Sequence, residues 1–378
     1  MEIVPVETRA DMRRFLEFPY QHYRSDRRWV APLRSHQKEI LNPSRHPFYS
    51  HAELQCFLAL THGETCGRVA AIVDHAYNSV AGEKLGNFGF FESIDSQPVA
   101  AALLRSVGEW HAARGLTAMR GPLNPSINYE SGLLVEGFDT SPCVMMAYNP
   151  PYYERLFASA SLRKAMDLFA YRLTRSSGQT APLERAGRVL SAPGVRIRCA
   201  QIDRFADEVE TIGRLYNTMW RDNWGAAPIS KEEMLYLGQT LKPLLNPELV
   251  LLAEAGDEPV GFAMAVPDIN QALKRANGSL FPLGFFKILA SKRKIKMLRV
   301  LALGVVEAYR GSAVASQLYL QLIQRARMLG YIEAECSWVL ENNRSMIRSL
   351  GIMGAERYKT YRIYESKVGD LLAANGSH

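Results

Sequence analysis

A chain of 378 residues, 47% hydrophobic and 22% charged, is long enough for two cored domains and too apolar for disorder to be its default state. Its formal charge of +7 favours anionic ligands without identifying one. Its longest apolar runs, 300–306 and 280–286, fall far short of the roughly 18 to 20 residues that span a bilayer, and residues 1–14 carry Glu2, Glu7 and Asp11 where a signal peptide would be apolar. A cytoplasmic protein with no membrane partner is expected.

The chain opens on helical material over 11–23. Residues 54–74 (LQCFLALTHGETCGRVAAIVD) then give an apolar run, a Gly-containing turn and a second apolar run, which is a hairpin pattern. A strand over 85–91, a helix over 98–114 ending at Gly115, a strand over 117–120 and a Tyr-containing strand over 165–173 follow. Between the last two strands lies 121–151, rich in Pro, Asn and Tyr. With Asn128, Tyr129 and Glu130 at its centre, that excursion is either a folded structural loop or an arm reaching a partner domain's cleft, where Tyr129 would touch substrate.

Residues 176–194 (SSGQTAPLERAGRVLSAPG) have the composition of an interdomain linker. Beyond them the same order returns. Helices over 205–221 and 230–241 precede a second hairpin at 249–268 (LVLLAEAGDEPVGFAMAVPD), and strands over 298–306, 332–340 and 358–364 enclose a helix over 313–329 that ends at Gly330. Aligning Gly67 with Gly261 gives an offset of 194 residues, about half the chain. The sequence therefore predicts a duplicated, mixed α/β protein: a domain over 1–175, a linker over 176–194 and a second domain over 195–378. Ser230 and Glu233 fit a capping box at the start of a helix.

Cys56, Cys66, Cys143, Cys199 and Cys336 form no C-x-x-C pair, and the eight histidines form no H-x-x-x-H pair, so no metal is predicted. The basic run of Lys287, Lys292, Arg293, Lys294, Lys296 and Arg299 lacks the interleaved aromatics of a single-strand binding surface and sits on no DNA-reading motif. It reads as a solvated loop or as contact with a phosphorylated cofactor, and no nucleic-acid partner is expected.

The stretch 299–330 (RVLALGVVEAYRGSAVASQLYLQLIQRARMLG) carries the chemistry. An apolar strand ends at Val305 and Val306, and R-G-S-A-V-A at 310–315 leads straight into an amphipathic helix. Unpaired amides at the start of a helix, the positive end of its dipole and the Arg310 charge together suit a pyrophosphate. In the first half the corresponding stretch, ESIDSQ at 92–97, places Glu92 and Asp95 where a phosphate would need Arg and Gly.

On these residues the chain resembles the GNAT superfamily of acyl-CoA-dependent N-acyltransferases, whose phosphate loop reads [RQ]-x-x-G-x-[GA]; Arg310 and Ala315 match its ends, and Ala313 replaces the middle glycine. Residues 343–355 (NRSMIRSLGIMGA) are similar to the superfamily's downstream helix and turn, with Leu350 where many relatives carry a proton-donating tyrosine. The resemblance implies two tandem GNAT-like domains, the N-terminal copy degenerate. It implies that backbone groups of Leu303 and Val305 pair with a pantetheine arm, that Gly311, Ser312, Ala313, Val314 and Ala315 bind the pyrophosphate with Arg310, and that Asn343 lies near the acyl end or caps its helix. Acetyl-CoA, or another acyl-CoA, would be the co-substrate, and a small-molecule or peptide amine the acceptor.

Amide formation from a thioester needs a deprotonated amine, an oxyanion donor and a proton for sulfur. Glu335, which interrupts an apolar strand, and Glu341 at its end are the candidate bases. Tyr358, Tyr361 and Tyr364 are either phenolic acids or strand packing. Trp220, Asn223 and Trp224 between two helices, with Asp268 after the hairpin, are candidates to line the acceptor pocket. The leading expectation is N-acetyl transfer to a primary amine. The alternatives are a non-catalytic acyl-CoA-binding or regulatory protein and an aminoacyl transferase of similar tandem build.

Overall fold

The structure is a computed structural model that describes residues 1–176, 180–181, 184–185, 194–274, 278 and 294–373. Most of 176–194, the apolar run 280–286, and Lys287, Lys292 and Arg293 of the basic run lie outside the described residues. The protein is a mixed α/β chain that divides into two compact units, one of residues 1–168, 273–285 and 359–378, the other of 169–272 and 286–358.

The first unit contains β1 (Glu2–Pro5), α1 (Arg9–His22), β2 (Ala52–Thr61), β3 (Glu64–Asp74), β4 (Leu85–Ser93), α2 (Gln97–Ala112), β5 (Ala118–Gly121), β6 (Leu123–Asn124), β7 (Glu130–Ser131), β8 (Leu133–Glu136) and the start of β9 (Arg163–Thr174). The second holds the rest of β9, then β10 (Val195–Cys199), α3 (Phe205–Trp220), α4 (Lys231–Leu241), β11 (Val250–Ala255), β12 (Glu258–Pro267), β13 (Met297–Val305), α5 (Ala313–Met328), β14 (Glu333–Leu340), α6 (Arg344–Ile352) and the first residues of β15 (Glu356–Lys367). From Lys359 onward, β15 and the terminal helix α7 (Val368–Ala373) belong to the first unit.

Within the first unit the strands run β1-β2-β3-β4-β5-β15, and within the second β14-β13-β12-β11-β10. The duplication is visible in the register. In the first hairpin Ala59 pairs with Gly67 and a bulge follows at Ala59/Leu60; in the second Ala253 pairs with Gly261 and the bulge follows at Ala253/Glu254, each 194 residues further on. Both units then add an antiparallel strand and a parallel one, β4 beside β5 and β13 beside β14.

Each unit has its own core. In the first, Phe88, Leu103, Leu104, Phe157 and Tyr364 are buried together, and Val368 and Leu371 of α7 close the cluster against α2. In the second, Leu251, Ala263, Leu318, Leu322 and Leu350 fill the space under α5 and α6, while Ile212, Leu215 and Met219 of α3 cover Leu252 and Phe262 on the other face. Ser230 Oγ accepts the Glu233 N–H at 3.1 Å and Glu233 returns a bond to the Ser230 N–H, completing the capping box.

Candidate active site

The parallel pairing of β13 with β14 runs only from Met297↔Glu333 to Val300↔Cys336, although β13 continues to Val305 and β14 to Leu340. β13 stays paired with β12 on its other side, Val305 reaching Gly261, with a bulge at Leu301. Two parallel strands that part at mid-length leave Leu303 and Val305 with backbone groups directed into the opening, where an extended ligand can complete a ladder.

The turn after β13 lies at the open end. Gly311 adopts φ +81°, a left-handed conformation natural to glycine, and no atom lies within 4 Å of where a Cβ would sit. Ser312 caps α5 by accepting the Val314 N–H at 3.3 Å. Ala313, in the position that the motif gives to glycine, is fully buried at the first position of α5. Arg310 is exposed, and its guanidinium donates to the Met219 carbonyl at 3.4 Å. An uncrowded turn, a helix start and an exposed guanidinium together fit a pyrophosphate.

α3 comes close to β13 at Gly304, where a Cβ would lie 3.2 Å from both the Met219 sulfur and the Trp220 ring. Tyr216 stacks on Trp220, with ring centroids 4.9 Å apart. Trp220 is thus held against the strand that lines the opening. Asn223 and Trp224 follow in the turn after α3, where the Asn223 N–H donates to the Trp220 carbonyl.

At the base of the opening, one residue before the strands part, Arg299 faces Glu335 across β13 and β14. Both are buried. Arg299 Nε donates to Ser337 Oγ at 3.0 Å and lies 4.0 Å from the Glu335 carboxylate. Ser337 Oγ and the Tyr358 hydroxyl each donate to Glu335. The Arg299 guanidinium also lies 5.0 Å from the centre of the Trp338 ring, whose buried indole N–H has no acceptor among the described residues. Burial, with the Glu335 charge beside it, pushes the Cys336 thiol up to about 12, so no thiolate nucleophile is available there.

The sequence points to Glu335 and Tyr358 but not to Ser337, and it places Arg299 in a basic run read as a solvated loop or a cofactor contact; Arg299 is instead buried within β13 opposite Glu335. The signal was present: opposite charges inside two apolar strands mark a buried pair. Asn343 caps α6, accepting the Met346 N–H at 3.1 Å, and Leu350 is fully buried in the core under α5. Glu341 follows β14 at the open end. Asp268, by contrast, donates its N–H to the Met297 carbonyl at the start of β13, roughly 25 Å by strand rise from the phosphate-loop end. Tyr129 is buried in the first unit, edge-on to His46 and Phe48, and Tyr361 and Tyr364 are core residues of that unit.

The first unit has the same parting of strands, since β4 pairs with β5 only over Leu85–Asn87 while running on to Ser93. Its own chain fills the opening. A Cβ on Gly89 would lie 1.8 Å from the Leu123 carbonyl oxygen, and the Phe90 N–H donates to Asn124 Oδ1. Beside it Glu92 accepts from the hydroxyls of Tyr23 at 2.6 Å and Tyr153 at 2.8 Å, and burial pushes its carboxyl up to about 7.

Residues 210–352 match the family model described as the acetyltransferase (GNAT) family. The chain is 34% identical over 372 residues to the bacterial ceramide synthase of Caulobacter vibrioides, covering 97% of each. It is likewise 34% identical over 364 residues to protein YghO of Escherichia coli, covering 95% of this chain and 93% of that one. A tandem GNAT protein from the clavulanic acid biosynthesis pathway superposes with a TM-score of 0.56 at 12% identity, over 97% of this chain and 98% of its own, a likeness of fold. Parted strands, the following glycine turn and similarity over nearly the whole length agree: the chain belongs to the GNAT acyltransferase family, as a member with two tandem GNAT-like halves.

Proposed function

We propose that the protein transfers an acyl group from acyl-CoA to the primary amine of a long-chain base, forming an amide. The observation that carries acyl-CoA use is the parting of β13 and β14 beyond Val300 and Cys336, with the open Gly311 turn at its end. Leu303 and Val305 would pair with the pantetheine arm, and Arg310 with the amides of 311–315 would hold the pyrophosphate. The long-chain acceptor and a fatty acyl donor are supported by similarity, over 97% of both chains, to a protein named for ceramide synthesis; the sequence alone favoured acetyl.

In the reaction the amine nitrogen bonds to the thioester carbonyl carbon and the carbon–sulfur bond breaks. One proton leaves nitrogen and one reaches the thiolate. Glu335, or Glu341 through a water, accepts the first. The Tyr358 hydroxyl, which donates to Glu335 at the base of the opening, takes the place of the absent tyrosine at Leu350 as proton donor. Trp220, Asn223 and Trp224 would wall the acceptor, with Asp268 at the far end of β13; Tyr129 contributes only if the first unit takes part.

The test is thiol release with acetyl-, octanoyl- and palmitoyl-CoA against a long-chain base and a short hydrophilic amine, with the amide identified by mass. Turnover of palmitoyl-CoA with the long-chain base is expected. Turnover of acetyl-CoA with the hydrophilic amine alone would return the assignment to acetyl transfer, and binding without turnover of any pair would favour a non-catalytic acyl-CoA-binding protein.

A further inference from the structure

Three of the exposed large apolar side chains lie within five residues of one another: Met328, 76% exposed at the end of α5, with Leu329 and Ile332 in the turn before β14. Such side chains are unremarkable singly and informative in a cluster. The turn is held against the start of β13, since Ile332 and Glu333 donate their N–H groups to the Lys296 carbonyl and Lys296 Nζ reaches the Gly330 carbonyl at 3.4 Å. Lys294 and Lys296, two described members of the basic run, are exposed here, and so is Arg327, the residue before Met328. The adjacent carboxylate, Glu333, is paired with Arg172 at 2.6 Å.

We infer that this turn docks the protein on an anionic lipid bilayer, Met328, Leu329 and Ile332 entering the headgroup boundary while Lys294 and Lys296 meet lipid phosphates. Charge selects this occupant. A second copy of the chain would bring the same lysines face to face, whereas an anionic leaflet neutralises them. The sequence predicted no membrane partner because no segment is long enough to span, and among the described residues no helix is long and apolar enough to cross; surface docking needs only a few side chains. The turn is at the start of β13, the end away from the Gly311 turn. If the acyl-transfer reading holds, a docked molecule presents that turn to water, where CoA arrives, and the strand starts to the lipid that would hold a long-chain amine.

Docking is tested without any enzymatic assay, by sedimenting the full chain with vesicles of phosphatidylcholine alone or with an equal part of phosphatidylglycerol. Binding to the anionic vesicles at least fivefold above the neutral ones, weakened by salt, is expected. The Met328→Ser/Leu329→Ser/Ile332→Ser variant and the Lys294→Glu/Lys296→Glu variant should each lose about tenfold in partitioning while keeping the melting temperature. No preference for the anionic vesicles, or wild-type binding by both folded variants, overturns docking through this turn. Self-association of the wild type that the serine variant abolishes would instead make the patch an interface between copies and also overturns it.

Discussion

Asn124 Oδ1 accepts the backbone N–H of Phe90 at 2.6 Å. With this bond the first unit closes the opening between its parted strands with its own chain, which in the first unit makes internal structure of the element proposed as a ligand slot in the second. Asn124→Ala leaves that N–H without its acceptor and should cost about 1–3 kcal/mol. Gly89→Ala, which drives a methyl into the Leu123 carbonyl, should cost at least as much. Urea unfolding of the full chain measures both; an unchanged midpoint for Gly89→Ala would contradict the close approach.

Arg310→Glu places a negative charge at the proposed pyrophosphate site. A tenfold to hundredfold weaker CoA affinity by calorimetry is expected, roughly 1–3 kcal/mol for a charge-assisted hydrogen bond. The residue is exposed, so its melting temperature should stay near that of the wild type.

Glu335 and Arg299 form a buried pair, and removing one partner of such a pair typically costs about 3–5 kcal/mol. Glu335→Gln should therefore lower stability as well as activity, whereas Tyr358→Phe, which leaves the pair in place, should lower stability by about 1 kcal/mol. The pH profile of kcat/KM separates the roles. A base at Glu335 predicts loss of the acidic limb in Glu335→Gln and its retention in Glu341→Gln. A change smaller than threefold in both, about 0.65 kcal/mol, would assign catalysis to positioning.

Glu92 gives the first unit a pH signature. Its carboxyl, about 7 in the fold against 4.5 for the free group, keeps a proton that the unfolded chain has lost between those values. Its contribution to stability therefore falls as pH rises from about 4.5 to 7. His22 and His111, held down near 4 by burial, act oppositely and lose stability as pH falls through 6.5 toward 4. The informative quantity is the difference between wild type and Glu92→Gln: the variant should gain relative stability across 4.5 to 7, by up to about 1.4 kcal/mol per pH unit. A difference independent of pH would place the carboxyl near its ordinary value.

The C-terminal strand belongs to the first unit. Tyr364 to Lys367 pair with Gly121 to Ala118, and Leu371 packs against α2 at Gly108. Leu371→Ala should cost about 2–5 kcal/mol. Ending the chain after Tyr358 should unfold the first unit, by circular dichroism and protease sensitivity, although no residue of the N-terminal half has changed.

Local pattern determined most of the elements. The hairpins at 54–74 and 249–268, the helix after R-G-S-A-V-A and the 194-residue repeat were legible because strand alternation, helix periodicity and turn residues are local signals. So was the turn at Arg310 and Gly311, since a strand-to-helix turn is contiguous in sequence. Only the tertiary structure decided that β13 and β14 part after four paired residues, that Arg299 meets Glu335, that Asn124 fills the opening beside Phe90, and that residues from Lys359 onward complete the first unit. Each of these pairs residues distant along the chain, 34 to 36 positions apart for Arg299–Glu335 and Phe90–Asn124. Such pairings are fixed by sheet register and by which edge a strand can reach, and neither is written in the strand's own sequence.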